Sequence, residues 1–441
     1  MAELTAVDGL RGLLRSWHEA GRGIWAACTG HPVVLEAAAA QAVDDGSLLL
    51  VESTCNQVNP EGGYTGQRPA DFASGIRSLA REAGLPPERL VLGGDHLGPH
   101  PYRAQPRDQA MANARELVRQ CVLAGYTKLH LDASMRLADD PGAPGAALDV
   151  AIASERTAEL CAAAERAHAE RAGGARAPLY VIGTDVPAPG GEVGEAAAPA
   201  ATSAAEAERS VALAWDAFAK RGLESAWERV VAVVVQPGVD FTSERVFEYE
   251  RARAAPLRQL VRRLPGLVFE AHSTDYQRPA SLQALVADGF AVLKVGPALT
   301  FAFREAAFGL EAIEREWLGG RRGFVASGLR QALEAAMAEQ PAHWRGHHAE
   351  ADEATRTLRA FGFSDRVRYY WPAPAVQAAL HRLLANLQGS PPPLPLLSQY
   401  LPRQYEAVRA GALAGTPDTL LSHAVREVTR AYARACAPER P

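Results

Sequence analysis

The sequence predicts an α/β protein built as a (β/α)8 TIM barrel with a helical C-terminal appendage. Across the first three hundred residues, eight short and nearly continuous apolar runs alternate with longer helical stretches. That is the pattern of a parallel sheet covered by helices, and eight such units suit a closed barrel. The first run leads into Cys28-Thr29-Gly30-His31-Pro32 rather than a G-x-G-x-x-G turn, so the usual mark of the open, doubly wound alternative is missing. Residues 1–300 are assigned to the barrel and 301–441 to the appendage.

In order, the strand candidates are residues 23–29, 47–53, 90–96, 128–134, 179–185, 230–236, 267–273 and 291–296. Helices are expected between them at 69–83, 108–124 and 154–172, the last opening at Ser154 with Glu155 and Thr157 in its first turn. Residues 187–210, rich in Ala, Pro and Gly, read as a long loop after the fifth strand. Beyond Thr300 the strand signal stops. Stretches 303–317 and 375–387 read as helices, a Pro-rich run follows at 391–397, and the many leucines require burial against the barrel.

Composition narrows the function. A chain of 441 residues that is 48% hydrophobic has ample material for a core. A net charge of −5 and a pI near 6.2 exclude a general nucleic-acid binder acting through bulk positive charge. No apolar run approaches the roughly eighteen residues that a membrane span needs, and the charged, amphipathic N-terminus lacks the apolar centre of a signal peptide. Five thinly spread cysteines (Cys28, Cys55, Cys121, Cys161 and Cys436) form no C-x-x-C pair, so a reducing cytoplasm is the expected compartment. A homo-oligomer is expected.

Barrel chemistry sits where strands end and βα loops begin, and seven of the eight strand candidates end in polar residues. They carry Glu52 and Ser53; Asp95 and His96; His130, Asp132 and Ser134; Thr184 and Asp185; Gln236; Glu270 and His272; and Lys294. Residues two apart share a strand face, so His130, Asp132 and Ser134 lie together, as do Glu270 and His272. Facing the apolar helix layer they would go unpaired at a cost of several kcal/mol, so they should point into the barrel mouth. Nitrogen and oxygen donors of this kind suit a divalent metal, zinc foremost, with manganese, cobalt and nickel also suited. Asp95, beside a ligand histidine, is placed to move a proton. Lys294 reads as a cation for an acidic group rather than a Schiff-base nucleophile. Asn56, Gln57 and Tyr64 of the loop after the second strand offer amides and a phenol to a polyhydroxylated ligand. Glu52, His130, Ser134, Gln236 and Lys294 join them as candidate substrate contacts. Arg366, Arg368, Tyr369 and Tyr370 read as a seam docking the appendage, or as groups that could bind an anion or stack a ring.

The motifs GGDHLGP (93–99), LHLDASM (129–135), IGTDVPAPGG (182–191), EAHSTDYQ (270–277) and LKVGPALTFA (293–302) are specific in combination, as are RVRYYWP (366–372) and LPLLSQYLPRQY (394–405). Through them the chain resembles the accessory (Z) subunit family of class II tagatose-bisphosphate aldolases. The resemblance implies kinship with metal-dependent barrels that cleave a ketose bisphosphate between C3 and C4. It makes Asp95 and His96 the acid/base and metal-ligand pair, His272 a second ligand, and Asp185 the third in place of the family's histidine. Asp132 or Glu270 would be a second acid/base. The segment STDYQ after the seventh strand has no glycine, where class II aldolases carry a phosphate loop, which argues for an unphosphorylated or singly phosphorylated ketohexose. Two functions follow from the resemblance: aldol cleavage or C4 epimerisation by this chain, or a non-catalytic role stabilising a separate aldolase chain.

Overall fold

The computed structural model describes residues 5–142, 147–171, 175–183, 199–346 and 353–437. Eight parallel strands close into one barrel: β1 Ile24–Ala27, β2 Leu49–Thr54, β3 Leu90–Leu97, β4 Lys128–Leu131, β5 Leu179–Ile182, β6 Val230–Val234, β7 Val268–Ala271 and β8 Val292–Val295. Each pairs with its neighbour in sequence, and β8 returns to β1 with Ala26 opposite Lys294. The outer layer begins with α1 Pro32–Asp45, α2 Pro69–Glu82, α3 Arg107–Leu123 and α4 Val150–Glu170. It continues with α5 Ala204–Ala219, α6 Ala255–Val261, α7 Pro279–Ala287 and α8 Pro297–Leu318. Every residue of β5 and β6 is buried, because one face fills the barrel and the other meets helices.

All eight strands fall on the apolar runs, but several end earlier than the pattern suggests. The fourth stops at Leu131 because the Asp132 amide makes a last rung to the Leu97 carbonyl (3.1 Å) and its carboxylate then takes the Ser134 amide (2.9 Å). The helix expected to open at Ser154 starts at Val150: Asp149 accepts from the Ala151 amide at 2.8 Å, and the Ser154 hydroxyl is spent on the Val150 carbonyl. The loop expected through Ser210 gives way to α5 at Ala204, where Ser203 and Glu206 form a reciprocal capping box. Residues 187–198 of that loop lie outside the described residues.

The region past Thr300 is helical, and residue 300 itself falls within α8. The last helix, Pro417–Cys436, packs against α1, α7, α8 and β1, filling the outer ring between α7 and α1. The Gly23 amide at the foot of β1 donates to the Cys436 carbonyl at 2.9 Å. One turn earlier in the same helix, the Tyr432 hydroxyl donates to the Thr274 carbonyl at 2.6 Å.

His31, between β1 and α1, joins barrel and helical region from the inside. Its ring lies 4.3 Å from Phe303 and 5.8 Å from Trp371 between centroids, and burial pushes its imidazole down to about 4. An unfolded imidazole takes its proton near 6.5. As pH falls from there to about 4, the unfolded chain holds a proton the folded chain refuses, and stability declines by up to about 3 kcal/mol. His31→Phe is expected to flatten that decline by about one proton. Denaturant unfolding of both proteins across this pH interval measures it, and identical slopes would count against the assignment.

Candidate active site

The floor of the barrel mouth is a group of four buried charges. Lys128 Nζ lies 2.6 Å from Glu52 Oε1 and 2.6 Å from Glu270 Oε2. Lys294 Nζ pairs with Glu52 Oε2 and lies 3.0 Å from Asp95 Oδ1 and 3.5 Å from Glu270 Oε1. Such charges survive burial only by pairing. Burial pulls the Lys294 ammonium down to about 8. Burial also opposes ionisation of Glu270, yet Lys128 and His272 outweigh it and hold the carboxyl near 2. Room for Glu52 comes from Gly93 opposite it on β3, where a Cβ would stand 2.8 Å from Glu52 Cγ.

Above the floor, β3 breaks the alternation of faces. Its register with β4 shifts between Gly94 and Leu97, and His96 adopts a φ of +49°. A bulge of this kind re-aims side chains, so the adjacent Asp95 and His96 both reach the mouth. Ser273, just past β7, has a φ of +52°. Left-handed backbone at non-glycine residues costs about 1–3 kcal/mol each and concentrates at functional sites.

Three imidazoles meet there. The ring centroids of His96, His130 and His272 lie 4.8–5.2 Å apart, and one donor atom from each, with one from Asp95, falls within 4.8 Å of the others. Each ring is steered by a carboxylate. His96 Nδ1 donates to Asp132 Oδ2 at 2.9 Å, and His272 Nε2 to Glu270 Oε1 at 3.0 Å. His130 Nδ1 accepts from the His96 amide at 3.2 Å and sits 3.0 Å from Asp95 Oδ1. His96 Nε2 and His272 Nδ1 face each other across 3.2 Å, close enough to share one proton. His130 Nε2 is buried and has no hydrogen-bond partner among the described residues.

Two facing ring nitrogens and a third, buried and without a partner, can give up their protons to a metal ion, and carboxylate-braced imidazoles are how proteins hold one. The set fits a divalent metal that accepts nitrogen and oxygen. Burial disfavours the His96 imidazolium, but Asp95 and Asp132 outweigh it and push it up to about 9. Burial raises Asp95, yet His96, His272 and His130 together hold its carboxyl below the usual range. Cys28, near Glu52 and Asp95, is pushed up to about 12 by burial and offers no thiolate.

An open cavity lies over the imidazoles. Of the residues singled out in the sequence, Asn56, Gln57, Tyr64, Asp95, His96, His272 and Lys294 line it. Glu52, Glu270, His130 and Asp132 lie beneath, bound to the lining groups Lys294, His272, Asp95 and His96. Ser134 donates to Asp132, and Gln236 accepts the Gly238 and Val239 amides in a turn, neither reaching the cavity. Asp185 lies outside the described residues.

The structure also brings in residues that the sequence left between a docking seam and a ligand contact, and others it passed over. Arg368 and Tyr369 line the cavity itself. Arg368 donates to the Tyr369 hydroxyl at 2.9 Å, and the Tyr369 ring stands edge-on to Tyr64 at 4.6 Å. Lys128, Phe241 and Asp275 were not anticipated; Lys128 alone had a signal, as a cation two residues before His130 on the same strand face.

A family model described as "D-tagatose-1,6-bisphosphate aldolase subunit GatZ/KbaZ-like" matches residues 13–437. A crystal structure described as a probable tagatose 6 phosphate kinase from Sinorhizobium meliloti 1021 is 43% identical, with a TM-score of 0.85 over 94% of this chain and 100% of that one. The YdjI aldolase of Escherichia coli K12 is 12% identical with a TM-score of 0.40, covering 86% of this chain and 94% of its own. Fructose-bisphosphate aldolase from Campylobacter jejuni is 11% identical with a TM-score of 0.43, covering 87% and 92%.

Proposed function

Because this chain belongs to the GatZ/KbaZ-like family of D-tagatose-1,6-bisphosphate aldolase subunits, we propose that it is a metal-dependent enzyme acting at C3–C4 of a ketohexose by retro-aldol and aldol chemistry. The observation that carries the reading is the trio of carboxylate-braced imidazoles beside Asp95 under an open cavity. His96, His130 and His272 would hold the ion, zinc foremost. When bound, the metal supplies a Lewis acid for the substrate's oxygens.

The chain's own groups do the rest. Asp132 and Glu270 fix the orientation of two imidazoles. Asp95, its Oδ1 engaged by Lys294 Nζ at 3.0 Å and His130 Nδ1 at 3.0 Å, takes the C4-hydroxyl proton on Oδ2. C4 becomes a carbonyl, the C3–C4 bond breaks, and its electron pair passes to C3 and on to the C2 carbonyl. Release of the fragments completes an aldol cleavage. Rotation of the aldehyde and return of the proton from Asp95 as the bond reforms gives the C4 epimer. Asn56, Gln57 and Tyr64 supply hydrogen-bonding groups for sugar hydroxyls.

Incubating the chain alone with D-tagatose and D-fructose, their phosphates and bisphosphates, with and without a chelator, tests this. Chelator-sensitive epimer or triose formation supports the enzyme. The family description, an aldolase subunit, favours one second reading: a chain that stabilises a separate aldolase. Turnover that arises only beside a second chain would favour it. Asp95→Asn keeps an oxygen for the neighbouring imidazole and is expected to retain metal while losing at least about two orders of magnitude in kcat. An unchanged rate would remove Asp95 from the proton transfer.

A further inference from the structure

In TIM barrels, phosphate groups commonly bind at the loops after the seventh and eighth strands and at a helix N-terminus there, where free backbone amides and the helix dipole favour an anion. The corresponding helix here is α8, 22 residues long and capped by Gly296. Its amides are taken. Gly296 and Ala298 donate to Asp275 Oδ1 at 3.0 and 2.8 Å. Pro297 has no amide hydrogen, and the Leu299 and Thr300 amides turn back to the Gly296 carbonyl at 3.1 and 3.4 Å. Asp275 is 3% exposed, yet it lines the same cavity as His272 and Lys294. A carboxylate of the chain thus sits where a ligand's anion would otherwise be received.

We propose that Asp275 fills the phosphate position of the barrel with its own carboxylate, so that the ligand end seated over α8 carries a free hydroxyl and no phosphate. A hydroxyl can donate to the carboxylate. A phosphate there would face a like charge and would lack the two amides it needs. Asp275 is therefore a specificity-determining residue that excludes ketose bisphosphates, which carry phosphate at both ends. For its sugar the inference rests on the ketohexose reading above; for its exclusion of anions it rests on α8 alone.

Two measurements on the metal-loaded full chain separate those supports. Calorimetric titration with inorganic phosphate compares wild type with Asp275→Gly, which frees both amides, and Asp275→Asn, which keeps an acceptor oxygen but removes the charge. Asp275→Gly is expected to bind phosphate at least about tenfold more tightly than wild type, with Asp275→Asn between them. Equal affinity in all three overturns the proposal. The second measurement is the kcat/KM ratio of D-tagatose 1,6-bisphosphate to free D-tagatose. Wild type should favour the free sugar by about tenfold or more, and Asp275→Gly should shift the ratio toward the bisphosphate by a similar factor. A wild-type preference for the bisphosphate overturns the proposal, even if neither variant folds. Should no sugar turn over, the ketohexose reading falls and the phosphate titration still decides the role of Asp275.

Discussion

His272→Ala is expected to leave the chain without stoichiometric divalent metal and to lower ketose turnover by at least about a thousandfold, the scale of losing a Lewis acid at the reacting carbonyl. The reason is geometric. His272 Nδ1 faces His96 Nε2 at 3.2 Å, so removing it takes away one of the two facing ring nitrogens on which the fit depends. Glu270 loses one imidazole partner but keeps Lys128 at 2.6 Å, so the barrel should remain folded. Elemental analysis of dialysed protein beside a turnover assay checks both parts. Full metal occupancy in the variant would remove His272 from the ligand set, and full activity without metal would refute the metal-dependent mechanism.

The second large effect concerns stability. Lys128→Met should cost about 3–5 kcal/mol, the scale of breaking a buried ion pair by removing one partner. Lys128 is fully buried between Glu52 and Glu270, and its loss leaves Lys294 as their one shared ammonium, with only the His272 ring besides on Glu270. Adding Glu52→Gln to Lys128→Met should restore part of the loss, because the orphaned charge is then gone. Denaturant unfolding of wild type, single and double variants measures the coupling. A single variant as stable as wild type would mean that the carboxylates are not both ionised in the folded chain.

The barrel was legible because its strands are buried on both faces, and burial on both faces writes a continuous apolar run. The positions of Asp95, His96 and His272 at strand ends were legible for the opposite reason: polar groups interrupt such runs only where the barrel opens. Their geometry was not. Strict alternation would send Asp95 and His96 to opposite faces, and only the bulge at a left-handed His96 brings both inward. His130, read as a substrate contact, lies among the imidazoles, a placement set by the closing of β4 against β3. Arg368 and Tyr369 reach the cavity from far along the chain, and no local pattern announces such a return. Asp275 sits in a polar turn whose missing glycine was visible, but the two amides that engage it belong to the next βα loop.

The bond between Gly23 and Cys436 also sets a timetable. Strand β1 is among the first elements made, yet the helix that covers its flank is the last. During synthesis the apolar walls of α1 and α7 must therefore wait, uncovered, until nearly the whole described chain has emerged. Non-local closure of this kind is slow and leaves sticky surface exposed. A chain halted before Pro417 would not be a smaller barrel lacking an ornament. It would be a barrel with a missing stave, and a natural client for chaperones and proteases.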